Sequence, residues 1–239
     1  MANSLAELNA VETPPLFKVG FDLLEGMFQF TSATPDMLPA GTQITITGPP
    51  GTGKTRLALQ LANAIGKNNL DLKIECRSYE MSGPMLKDLV TKLDTEHIDG
   101  YLYGEDLKEF TPFVPGTLYV IDSLDYWAAK EGEPYPSTAM AKLLEAAKAQ
   151  HISIIIVHHK AKTGRAETGV VLFRQYNDIR IEVKLNKNNK HNLQVSTDEK
   201  NRYPGPNRSV TLRHSASGLI PVPPTPLQQF WTRISSFAG

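Results

Sequence analysis

One cysteine, Cys76, in 239 residues excludes an internal disulfide framework and a cysteine-rich zinc module. Net charge is missing as well. The 25 Lys+Arg balance 25 Asp+Glu, so no whole-surface attraction to nucleic acid or anionic membrane is expected, and any basic site must be local. Long apolar runs are absent too: the longest, around Ile152 to Val157, is far too short to span a bilayer, and no membrane partner is expected. The opening residues, Met1 to Leu8, lack the basic cap and apolar stretch of a secretory leader, which reads as a soluble, cytoplasmic protein. No internal repeat is apparent. With 41% hydrophobic residues the chain can still build a substantial core, as one large α/β domain or two small ones.

What is present is organised around Gly48-Pro49-Pro50-Gly51-Thr52-Gly53-Lys54-Thr55, which fits the pattern G-x-x-x-x-G-K-[ST] at every fixed position. Gln43 to Thr47 before it alternates and is β-branched, as a strand should be. Arg56 to Ala62 after it has helix formers with apolar residues at helical spacing. In that order, the three glycines let successive N–H groups turn toward an anion, and the helix adds its positive N-terminal end. Lys54 can then reach the β- and γ-phosphates, and the Thr55 hydroxyl can ligate Mg²⁺. The stretch Gly48 to Arg56 is therefore expected to hold a nucleoside triphosphate.

Along the chain, residues 1–18 read as a flexible lead-in, 19–220 as one α/β core, and 221–239 as a proline-rich linker followed by a short amphipathic helix. Within the core, residues 19–40 suit a short helix and loop, and the helix after the glycine loop is expected to end at Gly66. Asp71 to Ser78 reads as a strand, and Ser82-Gly83-Pro84 opens a helix to about Leu93. Residues 94–116 are acidic, turn-rich and uninformative. Thr117 to Ser123 is a strand carrying Asp122 at its end, followed by a polar loop, Tyr126 to Pro136, and a helix, Ser137 to Gln150. Ile152 to Val157 is apolar throughout, as in a parallel strand covered on both faces. Ile179 to Leu185 and Leu193 to Thr197 alternate around a turn, an antiparallel hairpin, with a further strand from Ser209 to Arg213. Leu227, Phe230, Trp231, Ile234 and Phe237 recur at helical spacing and suit packing on this domain or on a partner protein.

Several side chains outside the glycine loop are candidates for chemistry. Asp122, delivered by a buried strand, is placed to join a Mg²⁺ shell. Glu80 follows a strand at its carboxyl end, where ligands bind in such sheets; it is either an exposed glutamate leading into the next helix or a carboxylate of the site. Lys160, Lys162 and Arg165 share a loop free of acids, which is either merely solvated or a local basic site. The neighbouring His158 and His159 have no spaced cysteine or carboxylate to complete a metal site. Lys184, Lys187 and Lys190 suit a solubilising hairpin tip.

Taken together, residues from about Val19 to Leu219 resemble the RecA-like phosphate-loop ATPase core of the RadA, DnaB and KaiC branch, and a minimal single-core RadA-type recombinase in particular. The resemblance is carried by Pro39 to Thr55, Ser78-Tyr79-Glu80-Met81-Ser82, Val120-Ile121-Asp122-Ser123, Ile155 to His159 and Lys200-Asn201-Arg202. It implies a mostly parallel central sheet flanked by helices with a C-terminal antiparallel hairpin. It also implies an ATPase using ATP and Mg²⁺. By the same resemblance Glu80 activates water, His159 senses the γ-phosphate, and Lys200 and Arg202 act on the nucleotide of a neighbouring subunit. The chain departs from the pattern in having Pro204 before Gly205. Lys160 to Gly169 falls in the position of the family's second DNA-binding loop and Tyr126 to Pro136 in that of the first. The expected partners are thus further copies of the chain, in a ring or filament, and single-stranded DNA, with nucleoid association if DNA is bound. A KaiC-like regulatory ATPase acting on protein partners is the alternative.

Overall fold

The computed structural model describes residues 14–29, 31, 33–107, 113–130, 132, 136–159, 177–186, 191–198 and 201–223. The expectations for Lys160, Lys162, Arg165, Lys187, Lys190, Lys200 and the C-terminal helix lie outside the described residues.

A nine-stranded sheet runs through the molecule in the order β11-β10-β9-β8-β3-β7-β6-β4-β5. Its parallel part comprises β3 (Gln43–Gly48), β4 (Lys73–Ser78), β5 (Gly100–Tyr103), β6 (Thr117–Asp122), β7 (Ser153–His159) and β8 (Ile179–Leu185). From β8 the sheet turns antiparallel through β9 (Asn192–Thr197), β10 (Ser209–Ser215) and β11 (Gly218–Pro221). This is the mostly parallel α/β sheet with a C-terminal antiparallel hairpin expected above, extended by two strands, β5 and β11, that the sequence did not reveal.

Both faces of the parallel part are covered, and the side chains show why. Ile155 and Val157 of β7 join Leu118 and Val120 of β6 and Ile44 and Ile46 of β3 in one apolar layer. That layer packs on helix α1 (Lys54–Asn68) through Leu57, Leu61 and Ile65. Ile154 and Ile156 turn to the other side with Tyr119 and Ile121. There they meet α3 (Leu124–Lys130) and α4 (Pro136–Ala149) through Leu124, Trp127, Leu143, Leu144 and Ala147. The period-two geometry of a strand thus divides one continuous apolar run between two cores. Each fully buried Ile or Leu contributes about 1.5–3 kcal/mol, which makes the two cores the main source of stability.

Several boundaries differ from expectation. Helix α1 continues past Gly66 to Asn68. Gly66 lies inside it because a side chain there would run into the His97 carbonyl. The last residues of the expected lead-in form a strand, β1 (Leu16–Lys18), paired antiparallel with β2 (Met37–Pro39). Part of the expected loop at Tyr126 to Pro136 is helical, since α3 runs to Lys130 and buries Trp127 and Ala128. Helix α2 (Gly83–Leu93) starts and stops as the sequence indicates, with proline in its first turn and Asp94 in the left-handed region at φ 52° closing it. No helix among the described residues is long and apolar enough to cross a membrane.

Candidate active site

The carboxyl ends of β3, β4, β6 and β7 lie together because these strands are parallel and near neighbours. Each contributes to one site. β3 passes into the glycine loop, whose Gly53 takes φ 80°, a conformation open to glycine without strain. A side chain at Gly53 would also stand 2.6 Å from Cε1 of His214 on β10, so the antiparallel strands lean directly on the loop. At Gly48 a side chain would strike the Val183 carbonyl of β8. Thr52 donates to the Pro49 carbonyl at 2.9 Å and thereby holds the turn, whereas a side chain at Gly51 would meet nothing within 4 Å. Pro50 completes the outer bend and is exposed.

Lys54 opens α1 and is almost wholly buried, its ammonium donating to the Pro49 carbonyl at 2.9 Å. Burial lowers its pKa, against the pull of Glu80, Asp122 and Asp125. A buried cation whose hydrogen-bond partner among the described residues is one neutral carbonyl is primed for an anionic ligand. The next residue, Thr55, donates its hydroxyl to Asp122 Oδ1 and Oδ2 at 3.1 and 3.2 Å. Asp122 is 1% exposed, and its pKa is pushed up to about 6 by burial first and by the charge of Glu80 second.

Glu80 reaches the same place by a short tether. The Tyr79 N–H at the end of β4 donates to the Asp122 carbonyl at 2.6 Å, which holds the following residue beside the end of β6. Its carboxylate Oε2 is 3.0 Å from His159 Nε2. His158 turns the other way, its ring buried and its Nδ1 3.1 Å from Asp125 Oδ2. The Asp125 oxygen also accepts the His159 backbone N–H at 2.9 Å. Burial works to raise the Asp125 carboxyl, but the hydrogen bond and charge of His158 outweigh it and hold the group below its usual range. Gly51, Gly53, Lys54, Thr55, Arg56, Glu80, Leu89, His159 and His214 line a cavity of about 260 Å³. Arg56 is tied down by donating to the Ser215 carbonyl at 3.0 Å.

Arg202 stands elsewhere. Its N–H donates to the Asp178 carbonyl at 2.8 Å, and its guanidinium is 2.7 Å from Asp178 Oδ1. Asp178 in turn accepts the N–H of Gln43, the first residue of β3. Gly48, where the glycine loop begins, is the last residue of that strand. At about 3.3 Å per residue, Gln43 and Gly48 are roughly 17 Å apart, so Arg202, tied to Asp178, is held at the opposite end of the sheet from its own chain's loop. Asn201 anchors the turn by accepting the Arg180 N–H at 2.9 Å.

The residues present suit a triphosphate with Mg²⁺. Thr55 and Asp122 offer adjacent hard oxygen donors, and Lys54 and the loop offer the anion cradle. Among the described residues no cluster of three or more His, Cys, Asp or Glu is arranged to hold a metal by itself.

The structure brings Gly48 to Arg56, Glu80, Asp122 and His159 together and sets Arg202 apart. Asp125 and His214 were not picked out from the sequence. Asp125 sits close after Asp122 and could have been noticed as a second carboxylate beside the strand end. His214 is brought in by a strand far along the chain and carried no local signal.

These features define a phosphate-loop, nucleoside triphosphate-binding protein of RecA-like α/β fold. Residues 44–166 match the family described as the ATPase family associated with various cellular activities (AAA), and the chain belongs to that family. Among solved structures it is similar to the flagellar accessory protein FlaH from Methanocaldococcus jannaschii, at 16% identity and TM-score 0.62, over 78% of this chain and 92% of that one. It is also similar to a KaiC-like protein from the hyperthermophilic archaeon Pyrococcus horikoshii, at 17% identity and TM-score 0.64, over 88% and 100%. A third likeness is to the RadB recombinase, at 18% identity and TM-score 0.53, over 77% and 92%. At these identities the likeness concerns the fold. No curated protein matches the sequence.

Proposed function

We propose that the protein is a Mg²⁺-dependent ATPase whose site is completed by a neighbouring copy, and that the assembly works on single-stranded DNA in recombination, annealing or repair. The observation that carries this is the division of the machinery between two ends of one sheet. The loop, Asp122, Glu80 and His159 gather at the carboxyl ends, while Arg202 stands at the amino end, beside the first residue of β3 through Asp178, and is more than half exposed.

In this reading Lys54 and the loop N–H groups hold the phosphates, and Thr55 and Asp122 would hold the metal. When bound, Mg²⁺ supplies positive charge that orients the phosphates and offsets their negative charge. Glu80 takes the proton from the attacking water, and His159 fixes the position of the Glu80 carboxylate. Arg202 of an adjacent copy, with Lys200, lowers the energy of the charge that develops on the transferred phosphoryl group. Such groups supplied in trans are worth roughly 10³–10⁵ in rate. A head-to-tail arrangement that places one end of the sheet against the other in the next copy builds a ring or a filament. The DNA contact rests on Lys160, Lys162 and Arg165, which follow β7 in the sequence, and on the RadB recombinase among the similar structures.

Turnover measured with and without a single-stranded oligonucleotide across a salt series tests the DNA reading. Stimulation together with binding that weakens steeply with salt is expected. An unchanged rate and no binding at low salt would refute it and leave the regulatory ATPase acting on protein partners.

A further inference from the structure

We propose that Asp125 is a positioning residue for Glu80, acting through the two histidines that end β7. The proposal rests on the reading of Glu80 as the base. A single carboxylate oxygen of Asp125 meets both histidines, the backbone N–H of His159 at 2.9 Å and the ring Nδ1 of His158 at 3.1 Å. Adjacent residues of a strand point to opposite sides, so one group has to grip one histidine by its ring and the other by its backbone. Asp125 lies in the first turn of α3, just beyond the metal-side Asp122, and α3 is seated by Leu124 and Trp127 in the second core.

The grip matters because, among the described residues, little else orients His159. Among the described residues its buried Nδ1 has no hydrogen-bond partner, and the side-chain contact they give it is the one from Nε2 to Glu80 Oε2 at 3.0 Å. Where the ring stands is therefore set by its backbone, and the backbone is held by Asp125. Among the described residues, Glu80 has no other hydrogen bond to its carboxylate, and its side chain is about a third exposed. The chain Asp125, His159, Glu80 thus links a rigid, core-packed helix to a carboxylate that would otherwise swing. A misplacement of about 1 Å in a reacting group costs about 100-fold in rate, so a base on a free side chain would be a poor one. Asp125 itself is absent from the residues lining the nucleotide cavity, so its removal should spare binding.

The test is a double-mutant cycle on the full chain, with steady-state ATP turnover and fluorescent-nucleotide affinity as the two readouts. Asp125→Ala is expected to lower kcat about 10- to 100-fold with nucleotide Kd unchanged. Asp125→Asn, whose amide oxygen can still accept the His159 N–H, should recover most of that loss. In a Glu80→Gln background Asp125→Ala should cost nothing further. If Asp125→Ala is too unstable to assay, Asp125→Glu takes its place: it keeps the charge but displaces the oxygen, and kcat should fall without loss of affinity. Wild-type kcat in Asp125→Ala, an equal further loss in the Glu80→Gln background, or a parallel loss of kcat and affinity would overturn the proposal. Wild-type turnover by Glu80→Gln alone would instead overturn the assignment of the base, and the proposal with it.

Discussion

Replacing Asp122 by asparagine should abolish hydrolysis and yet make the nucleotide-free protein more stable. Asp122 is 1% exposed, and burial first, then the charge of Glu80, raise its pKa from 3.8 to about 6. A shift of about two units at about 1.4 kcal/mol each puts the cost of the ionised form on the order of 3 kcal/mol. The sign follows from which state holds the proton more firmly. The folded carboxyl has the higher pKa, so the cost is full above pH 6 and shrinks as the pH falls from about 6 toward 3.8. Asparagine has nearly the same shape, carries no charge, and its carbonyl can still accept the Thr55 hydroxyl. At pH 8 the variant should therefore gain about 1–3 kcal/mol, and at about 2–4 °C per kcal/mol for a chain of this size its Tm should rise by several degrees. Thermal melts followed by circular dichroism in the presence of EDTA, at pH 8 and pH 5, measure this. The gap should be widest at pH 8 and about half as wide at pH 5. Mg²⁺ and ATP should then raise the Tm of the wild type by more than that of the variant, which keeps the phosphate cradle but has lost a metal ligand. A variant that melts at or below the wild type at pH 8, or a gap that does not narrow with acid, would refute the reasoning.

Other expectations follow from the same geometry. Gly53→Ala forces a side chain into the left-handed region and against His214, so nucleotide affinity should fall at least tenfold by fluorescent-nucleotide titration. Adding His214→Ala should recover only part of it, because the backbone strain remains. Cys76 is buried and burial raises its thiol pKa, so a thiol reagent should label it only after denaturation.

The parts legible in the sequence were those whose signal is local. The glycine loop between a β-branched strand and a helix, Asp122 at the end of a buried strand, and the β8–β9 hairpin all announce themselves within about twenty residues. The missed elements lacked such a signal. β5 is a four-residue edge strand whose burial is incomplete, and β1 and β2 are three residues each and defined by pairing with one another. α3 was hidden because Gly132, Pro134 and Pro136 follow its seven residues closely and make the stretch read as a loop. Asp125 and His214 depend on contacts across the fold. Asp125 meets histidines more than thirty residues away, and His214 leans on Gly53 from a strand at the other end of the chain. No pattern of neighbours encodes either.

The measurement that bears most directly on a site shared between copies is subunit mixing. Lys54→Ala retains Arg202 but cannot hold the nucleotide, and Arg202→Ala holds the nucleotide but lacks the group to activate its neighbour's. Each alone should be nearly inactive. Mixed in equal amounts under assembling conditions, one kind of junction in four pairs an intact loop with an intact Arg202, so about a quarter of wild-type turnover should return. Full activity of Arg202→Ala alone, or no recovery on mixing, would contradict the account.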